Sequence, residues 1–236
     1  MTNRIAIFGL TGDPFTIAHR DICKQAIDTL QLKKLYVIPT IVEYHRAGKD
    51  RWLNDSQRIE CAEQMLWMLG PKYGKKIELD TSEIKLKSLC MANTPLDEEV
   101  VKRRRFIHTL LDFKVRHNID GDTSLYMIIG ADELKIFQTW HEWESILDNI
   151  DCLVVVKGRQ GDEDVQVPSD IMHRMHGRIE ELELSKSYLY GVSATRVRHW
   201  YCNGDLKEYL YDVKQIDSGE NDGITVPWIT KKRSEV

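Results

Sequence analysis

The stretch Ile5-Ala6-Ile7-Phe8-Gly9-Leu10-Thr11-Gly12-Asp13-Pro14-Phe15-Thr16-Ile17-Ala18-His19 decides how this chain is read. Its first four residues form a short apolar run of the kind that fills a strand buried on both faces. The run stops at Gly9, and a loop leads into a helix that begins near Thr16 and contains His19. A strand that ends in such a loop, with a helix N-terminus behind it, offers free backbone N–H groups and a positive dipole end to a phosphate. Glycines at 9 and 12 allow close backbone approach. Thr16 and His19, three apart on the first helical turn, share a face and can address the same anion. The same residues also fit a plain turn, a helix cap and a partly exposed histidine, so the rest of the chain must decide.

Working outward, similar apolar runs recur at 35–39, 125–129 and 153–156, with longer segments of helical period between them. Ile22, Ala26 and Leu30 mark one helix face; Ile59, Ala62, Leu66 and Leu69 mark another at three- and four-residue spacing. This alternation predicts an α/β fold with a parallel sheet. A chain of 236 residues suits one domain with insertions. Two stretches are less regular, 87–95 and 218–223, and 225–230 is either a short edge strand or a segment packed on the surface.

A formal net charge of −4 gives no global attraction to nucleic acid or an anionic membrane, so any anion site must be local. The N-terminus lacks the apolar run of a signal peptide, and no later stretch approaches the roughly 20 apolar residues that span a bilayer. A soluble, cytoplasmic protein is expected. The five cysteines are scattered and never form a Cys-X-X-Cys pair, which points to neither a disulfide framework nor a zinc knuckle.

Two further constellations carry chemistry. Near the C-terminal end, Gly191-Val192-Ser193-Ala194-Thr195-Arg196-Val197-Arg198 puts hydroxyls at a helix start, where Ser193 or Thr195 serves as N-cap or phosphate ligand. Arg198, three residues after Thr195, supplies a delocalised charge that can engage two phosphate oxygens at once. In the middle of the chain, the strand ending at Ile129 runs into Gly130-Ala131-Asp132, a short helix, and then Trp140 and Trp143. An acidic residue just past a strand end suits ribose hydroxyls. Trp140 can stack on a planar ring, whereas Trp143, three residues on along a helical face, is read as core.

The order of these residues resembles a known pattern. The first stretch is similar to the Gly-X-Phe-Asp-Pro-X-(His/Thr)-X-Gly-His signature of the nucleotidyltransferase superfamily, with Gly9, Thr11, Asp13, Pro14, Thr16 and His19 in matching positions. Gly12 stands where that family has Phe, and Ala18 where it has Gly. Residues 193–198 resemble its Ser-X-Thr-X-X-Arg motif. The middle run resembles the Gly-X-Asp…Phe-X-X-Trp-X-X-(Trp/Tyr)-X-X-Ile-Leu segment of nicotinate or nicotinamide mononucleotide adenylyltransferases, with Gly130, Asp132, Phe137, Trp140 and Ile146 matching. Val37-Ile38-Pro39 with His45-Arg46 resembles a strand, loop and His-(Lys/Arg) element, and Arg58 matches a following arginine. Thr81-Ser82-Glu83-Ile84 resembles a Ser-Asp-X-Glu strand, and Thr109-Leu110 the end of a Ser-Tyr-Thr-X-X-Thr-Leu stretch. An insertion at about 87–102 precedes Arg103-Arg104-Arg105-Phe106, which stand in the Ser-Tyr-Thr positions; the triple arginine fits phosphate or RNA contact, or a solvated face.

The resemblance implies a Rossmann-like sheet in a nucleotidyltransferase domain over 1–212, followed by a tail over 213–236. It implies transfer of the AMP part of ATP to a pyridine mononucleotide, with release of pyrophosphate. Thr16, His19 and Arg198 would be catalytic; Gly9, Thr11, His19, Gly130, Asp132, Ser193, Thr195 and Arg198 would bind ATP; Trp140 and Arg46 would bind the mononucleotide. Mg²⁺ would be carried mainly on the ATP phosphates, since no cluster of carboxylates demands a metal cage. The expected partners are these small molecules, with no nucleic acid and no membrane, and a homo-oligomer is compatible with the chain. Glu43, were it to face the ring, would oppose a nicotinate carboxylate. The rival readings are another nucleotidyltransferase of the cytidylyltransferase type and a non-catalytic nucleotide-binding protein.

Overall fold

The computed structural model describes residues 3–40, 52–85, 105–158, 162, 164–184 and 192–203. Among them, six strands form one sheet: β1 (Asn3–Leu10), β2 (Lys34–Pro39), β3 (Ile77–Leu79), β4 (Thr123–Gly130), β5 (Cys152–Lys157) and β6 (Ile179–Glu183). All five pairings are parallel and the order is β3-β2-β1-β4-β5-β6. Parallel neighbours need crossovers, and the helices supply them. They are α1 (Ile17–Thr29), α2 (Asp55–Trp67), α3 (Gly70–Gly74), α4 (Phe106–Arg116), α5 (Ala131–Leu134), a 3₁₀ turn (Phe137–Thr139), α6 (Trp143–Asp148), α7 (Ser169–Arg174) and α8 (Ala194–Asn203).

Both faces of the sheet are covered at its centre, which is why β1, β4 and β5 carry continuous buried apolar runs and not an alternating pattern. Ala6, Phe8, Leu35, Val37, Ile128 and Val154 face a cluster built with α1, α2 and Val197 of α8. Ile5, Ile7, Ile38, Met127, Ile129 and Val155 face the other cluster, with α4 to α7. Each fully buried side chain of this size contributes about 1.5–3 kcal/mol, so the two layers lock the strands in place. The order of the strands reverses between β1 and β4, and it is beyond the carboxyl ends at such a switch point that open α/β sheets bind ligands. β1 and β4 end at Leu10 and Gly130, so the first and third constellations lie side by side there.

Three details differ from expectation. Residues 82–85 form a helical turn after β3, whose last residue is Leu79; the stretch expected as a strand has already left the sheet. The buried face of α2 is Arg58, Cys61, Ala62, Met65 and Leu66, with Ile59 only partly covered and Leu69 beyond the helix. An arginine thus begins the core stripe, in the first turn of the helix, where an apolar pattern does not look for one. Trp140 and Trp143 do not share a helix: Trp140 closes the 3₁₀ turn and Trp143 opens α6, each partly buried against the same cluster. The insertion at 87–102, the tail over 213–236, Arg46, Glu43, Arg103, Arg104 and Gly191 lie outside the described residues. None of the described helices is long and apolar enough to cross a membrane.

Candidate active site

The loop after β1 is fixed from within. Gly12 has φ +57°, a left-handed conformation that costs glycine least. Asp13 is buried, and its carboxylate accepts the backbone N–H groups of Trp52 at 3.1 Å and Leu53 at 2.8 Å, clamping a distant segment to the loop. Phe15 is buried as well, and its carbonyl accepts from the Cys61 thiol at 3.3 Å. Burial pushes that thiol up to about 12, which keeps it a protonated donor and no nucleophile.

Thr16 is the N-cap of α1, and His19 occupies the position where a capping box ordinarily has Glu or Gln. The backbone N–H of Thr16 donates to His19 Nδ1 at 2.9 Å, and the Thr16 hydroxyl lies 3.0 Å from the same nitrogen. A backbone amide has only a proton to give, so Nδ1 accepts and the proton of the neutral ring sits on Nε2. The ring is further held against Phe15, 5.2 Å between centroids, and Phe8, 6.4 Å. The result is an imidazole locked in one tautomer at a helix start.

The C-terminal constellation reaches the same loop. Ser193 caps α8: its hydroxyl accepts the N–H of Arg196 at 3.2 Å, and its carbonyl that of Val197 at 3.0 Å. Arg198 donates to the carbonyl of Asp13 and to the Thr195 hydroxyl at 3.1 Å, with the Asp13 carboxylate 4.0 Å from its guanidinium. Residues from near the two ends of the chain therefore meet at one turn.

The third constellation lies across the switch point. Gly130 is the N-cap of α5, and the Asp132 carboxylate folds back over it so closely that a Cβ there would collide with Oδ1. Trp140 is packed between Phe106 and Phe137, at ring-centroid distances of 5.6 Å and 5.1 Å. Phe106 in turn lies against Gly9, where an added Cβ would stand 3.0 Å from its Cε2. Gly9 is thus required first by Phe106, and Phe106 joins the end of β1 to Trp140. In the sequence Phe106 is marked only as a residue in place of a Ser-Tyr-Thr segment, and nothing there pairs it with Gly9.

Two buried polar links sit beneath this arrangement. The Thr109 hydroxyl of α4 donates to Glu83 at 3.0 Å, which ties the helix carrying Phe106 to the segment after β3. Arg58, 1 % exposed, donates through Nε to the Thr11 carbonyl at 2.8 Å, through Nη2 to the carbonyls of Thr11 and Thr40, and through Nη1 to Asp55 at 3.0 Å.

The model of a family described as cytidylyltransferase-like matches residues 7–199. Among curated proteins, the probable nicotinate-nucleotide adenylyltransferase of Fusobacterium nucleatum is 24% identical over 83% of this chain and 86% of its own length. The corresponding protein of Shewanella sediminis is 26% identical over 90% and 93%. The solved structure of Plasmodium falciparum nicotinic acid mononucleotide adenylyltransferase complexed with NaAD superposes with a TM-score of 0.59 at 16% identity, covering 84% of each chain, a likeness of fold.

Proposed function

Because the chain belongs to the cytidylyltransferase-like family, we propose that it transfers the AMP of ATP to nicotinate mononucleotide, giving the dinucleotide and pyrophosphate. The observation that carries this reading is the meeting of His19 and Arg198 at one turn beside the switch point, with Trp140 linked to the same strand end through Phe106. The acceptor is taken from the names of the curated relatives, whose lengths this chain covers almost fully.

In this mechanism a 5′-phosphate oxygen of the mononucleotide attacks the α-phosphorus of ATP in line. A new P–O bond forms as the bond to the bridging oxygen of pyrophosphate breaks. The attacking phosphate is anionic near neutral pH, so positioning and charge stabilisation carry the catalysis without a general base. His19 gives its Nε2 proton as a hydrogen bond to an oxygen on the α-phosphorus, and Thr16 fixes the tautomer that makes this possible. Arg198 holds the departing pyrophosphate, with Thr195 orienting the guanidinium. Gly9, Thr11 and the start of α1 receive the ATP phosphates, Asp132 the ribose, and Trp140 the pyridine ring, with Arg46 reaching the mononucleotide phosphate.

Mg²⁺ carried on the ATP phosphates would supply charge neutralisation there. The Asp13 carboxylate in this loop is engaged by two backbone amides, which fits an ion held mainly by the nucleotide. The cytoplasm is the proposed compartment.

The test is a chromatographic assay of the purified chain with ATP and nicotinate mononucleotide, run beside nicotinamide mononucleotide and beside CTP in place of ATP. Deamido-dinucleotide and stoichiometric pyrophosphate are expected. Turnover with CTP but not ATP, or nucleotide binding with no product from either mononucleotide, would overturn the assignment.

A further inference from the structure

We propose that Arg58 is a positioning residue that sets the in-line geometry between the two substrates, an inference that rests on the AMP-transfer reading above. Its side chain is 1 % exposed, on the core face of α2, where an apolar residue would be the ordinary occupant. A guanidinium buried there must have its charge met by directed acceptors. Two of these acceptors are main-chain carbonyls from different strand ends. Thr11 belongs to the loop after β1 that leads to His19, and Thr40 directly follows β2, one residue before the segment that carries Arg46.

The planar fork of one guanidinium therefore holds the ends of two neighbouring strands in a single plane of donors. Backbone pairing of β1 with β2 runs as far as Leu10 opposite Pro39, and the Thr40 N–H still donates to the Leu10 carbonyl at 2.9 Å. Arg58 binds the carbonyl of the next residue on each strand, Thr11 and Thr40. The peptide joining Thr11 to Gly12 is not among the cis bonds of the described residues, so it is planar and trans. With its carbonyl turned to Arg58, the N–H of Gly12 faces the opposite way, and the orientation of the phosphate loop is fixed by the same contact.

If the loop from β1 carries the ATP phosphates and the segment after β2 carries the mononucleotide, Arg58 touches neither substrate and governs the distance between them. Its loss then falls on turnover and spares affinity, because each loop keeps its own ligands while the alignment is lost. Asp55 is the control within the same network. It pairs with Nη1, 3.0 Å away, whereas the carbonyls are held by Nε and Nη2.

The experiment measures kcat and both KM values for Arg58→Lys, Arg58→Ala and Asp55→Asn, together with melting temperatures, at a temperature where each variant is folded. For Arg58→Lys, kcat is expected to fall on the order of 100-fold, with both KM values within about threefold of wild type. Lysine keeps a cation but not the fork. Free guanidinium at millimolar concentration is expected to restore part of the Arg58→Ala turnover, whereas Asp55→Asn keeps near-wild-type kcat at a lowered melting temperature. The proposal is overturned if Arg58→Lys turns over within twofold of wild type, if only the ATP KM changes, or if Asp55→Asn loses as much kcat as Arg58→Lys. Failure of the wild-type chain to form any dinucleotide would instead strike the AMP-transfer reading on which the proposal stands.

Discussion

The two sides of the switch point are built from opposite materials. Around His19, geometry is set by directed hydrogen bonds: Thr16 to Nδ1, Arg198 to the Asp13 carbonyl, two backbone amides to the Asp13 carboxylate, Arg58 to two carbonyls. Around Trp140 it is set by rings in contact, Phe137 and Phe106, and by a strand-end glycine that leaves room for one of them. A directed bond is lost whole when its atom is removed, while a ring contact yields by degrees. The loop side should therefore fail in turnover and the aromatic side in affinity.

The sharpest way to break this contrast is His19→Ala. Removing a preorganised donor to a developing phosphate charge costs about 100- to 1000-fold in kcat, with ATP binding retained. A His19→Ala enzyme with unchanged turnover, measured by pyrophosphate release, would remove the mechanistic assignment. Next in size is Arg198→Ala, for which the loss of charge-assisted hydrogen bonds of about 1.5–3 kcal/mol predicts roughly a 10- to 100-fold fall in kcat/KM for ATP. Arg198→Lys should recover little of it, since a compact ammonium lacks the planar fork that reaches the Asp13 carbonyl and Thr195 through separate nitrogens while facing a phosphate.

On the aromatic side, Trp140→Ala should raise the KM of the mononucleotide while sparing that of ATP. Stacking on an aromatic ring contributes about 1–3 kcal/mol, which corresponds to a rise between about fivefold and 150-fold. Trp140→Phe should recover most of it. Equal increases in both KM values would show that Trp140 serves the whole site and not one substrate.

The same contrast explains what could be read from the sequence. The strands were legible because burial on both faces demands continuous apolar runs, and the run at 125–129 lies inside β4. The residues around His19 were legible because a cap, a glycine loop and a histidine at fixed spacing each serve a nameable atom. Arg58 was legible as a motif residue but not as part of a core face, because a helical apolar pattern assigns charge to the outside. Trp140 and Trp143 looked like helical neighbours because spacing says nothing of a 3₁₀ turn between them. Phe106 carried the weakest signal: its two partners, Gly9 and Trp140, lie far from it in sequence, and only the crossover of α4 brings all three together.

Gly9→Ala sharpens the link between the two sides. Its methyl would stand 3.0 Å from Cε2 of Phe106, a buried ring that also packs against Trp140. Overpacking of this kind costs about 1–3 kcal/mol, or roughly 2–10 °C in melting temperature for a chain of this size. Because the displaced ring is Phe106, the mononucleotide KM should rise as well. A second change, Phe106→Leu, should restore the melting temperature of Gly9→Ala; failure to do so would place the strain elsewhere.

The smallest effect is expected at the far end of α4, where polar contacts again hold the structure but no substrate is near. Asp80 is buried; its carboxylate accepts from the Ser82 N–H and from Arg116, each at 2.9 Å. Burial alone would raise its pKa, but the bonds from Ser82 and Arg116 outweigh it and hold the carboxyl below its ordinary value. His117 beside it is lowered by burial and by the Arg116 charge. Both groups bind protons more readily in the unfolded chain, so both make stability fall as pH falls, in different windows. For His117 the loss begins near its unfolded value of about 6.5, and for Asp80 near about 3.9. Chemical denaturation at stepped pH should show two stages: His117→Asn should remove the upper one and Asp80→Asn the lower. Turnover at pH 7.5 should stay near wild type in both, because α4 meets the site at Phe106 and these groups lie a whole helix away. A loss of kcat in either variant would mean that α4 transmits its anchoring to Trp140, and the two sides of the switch point would then share one mechanical support.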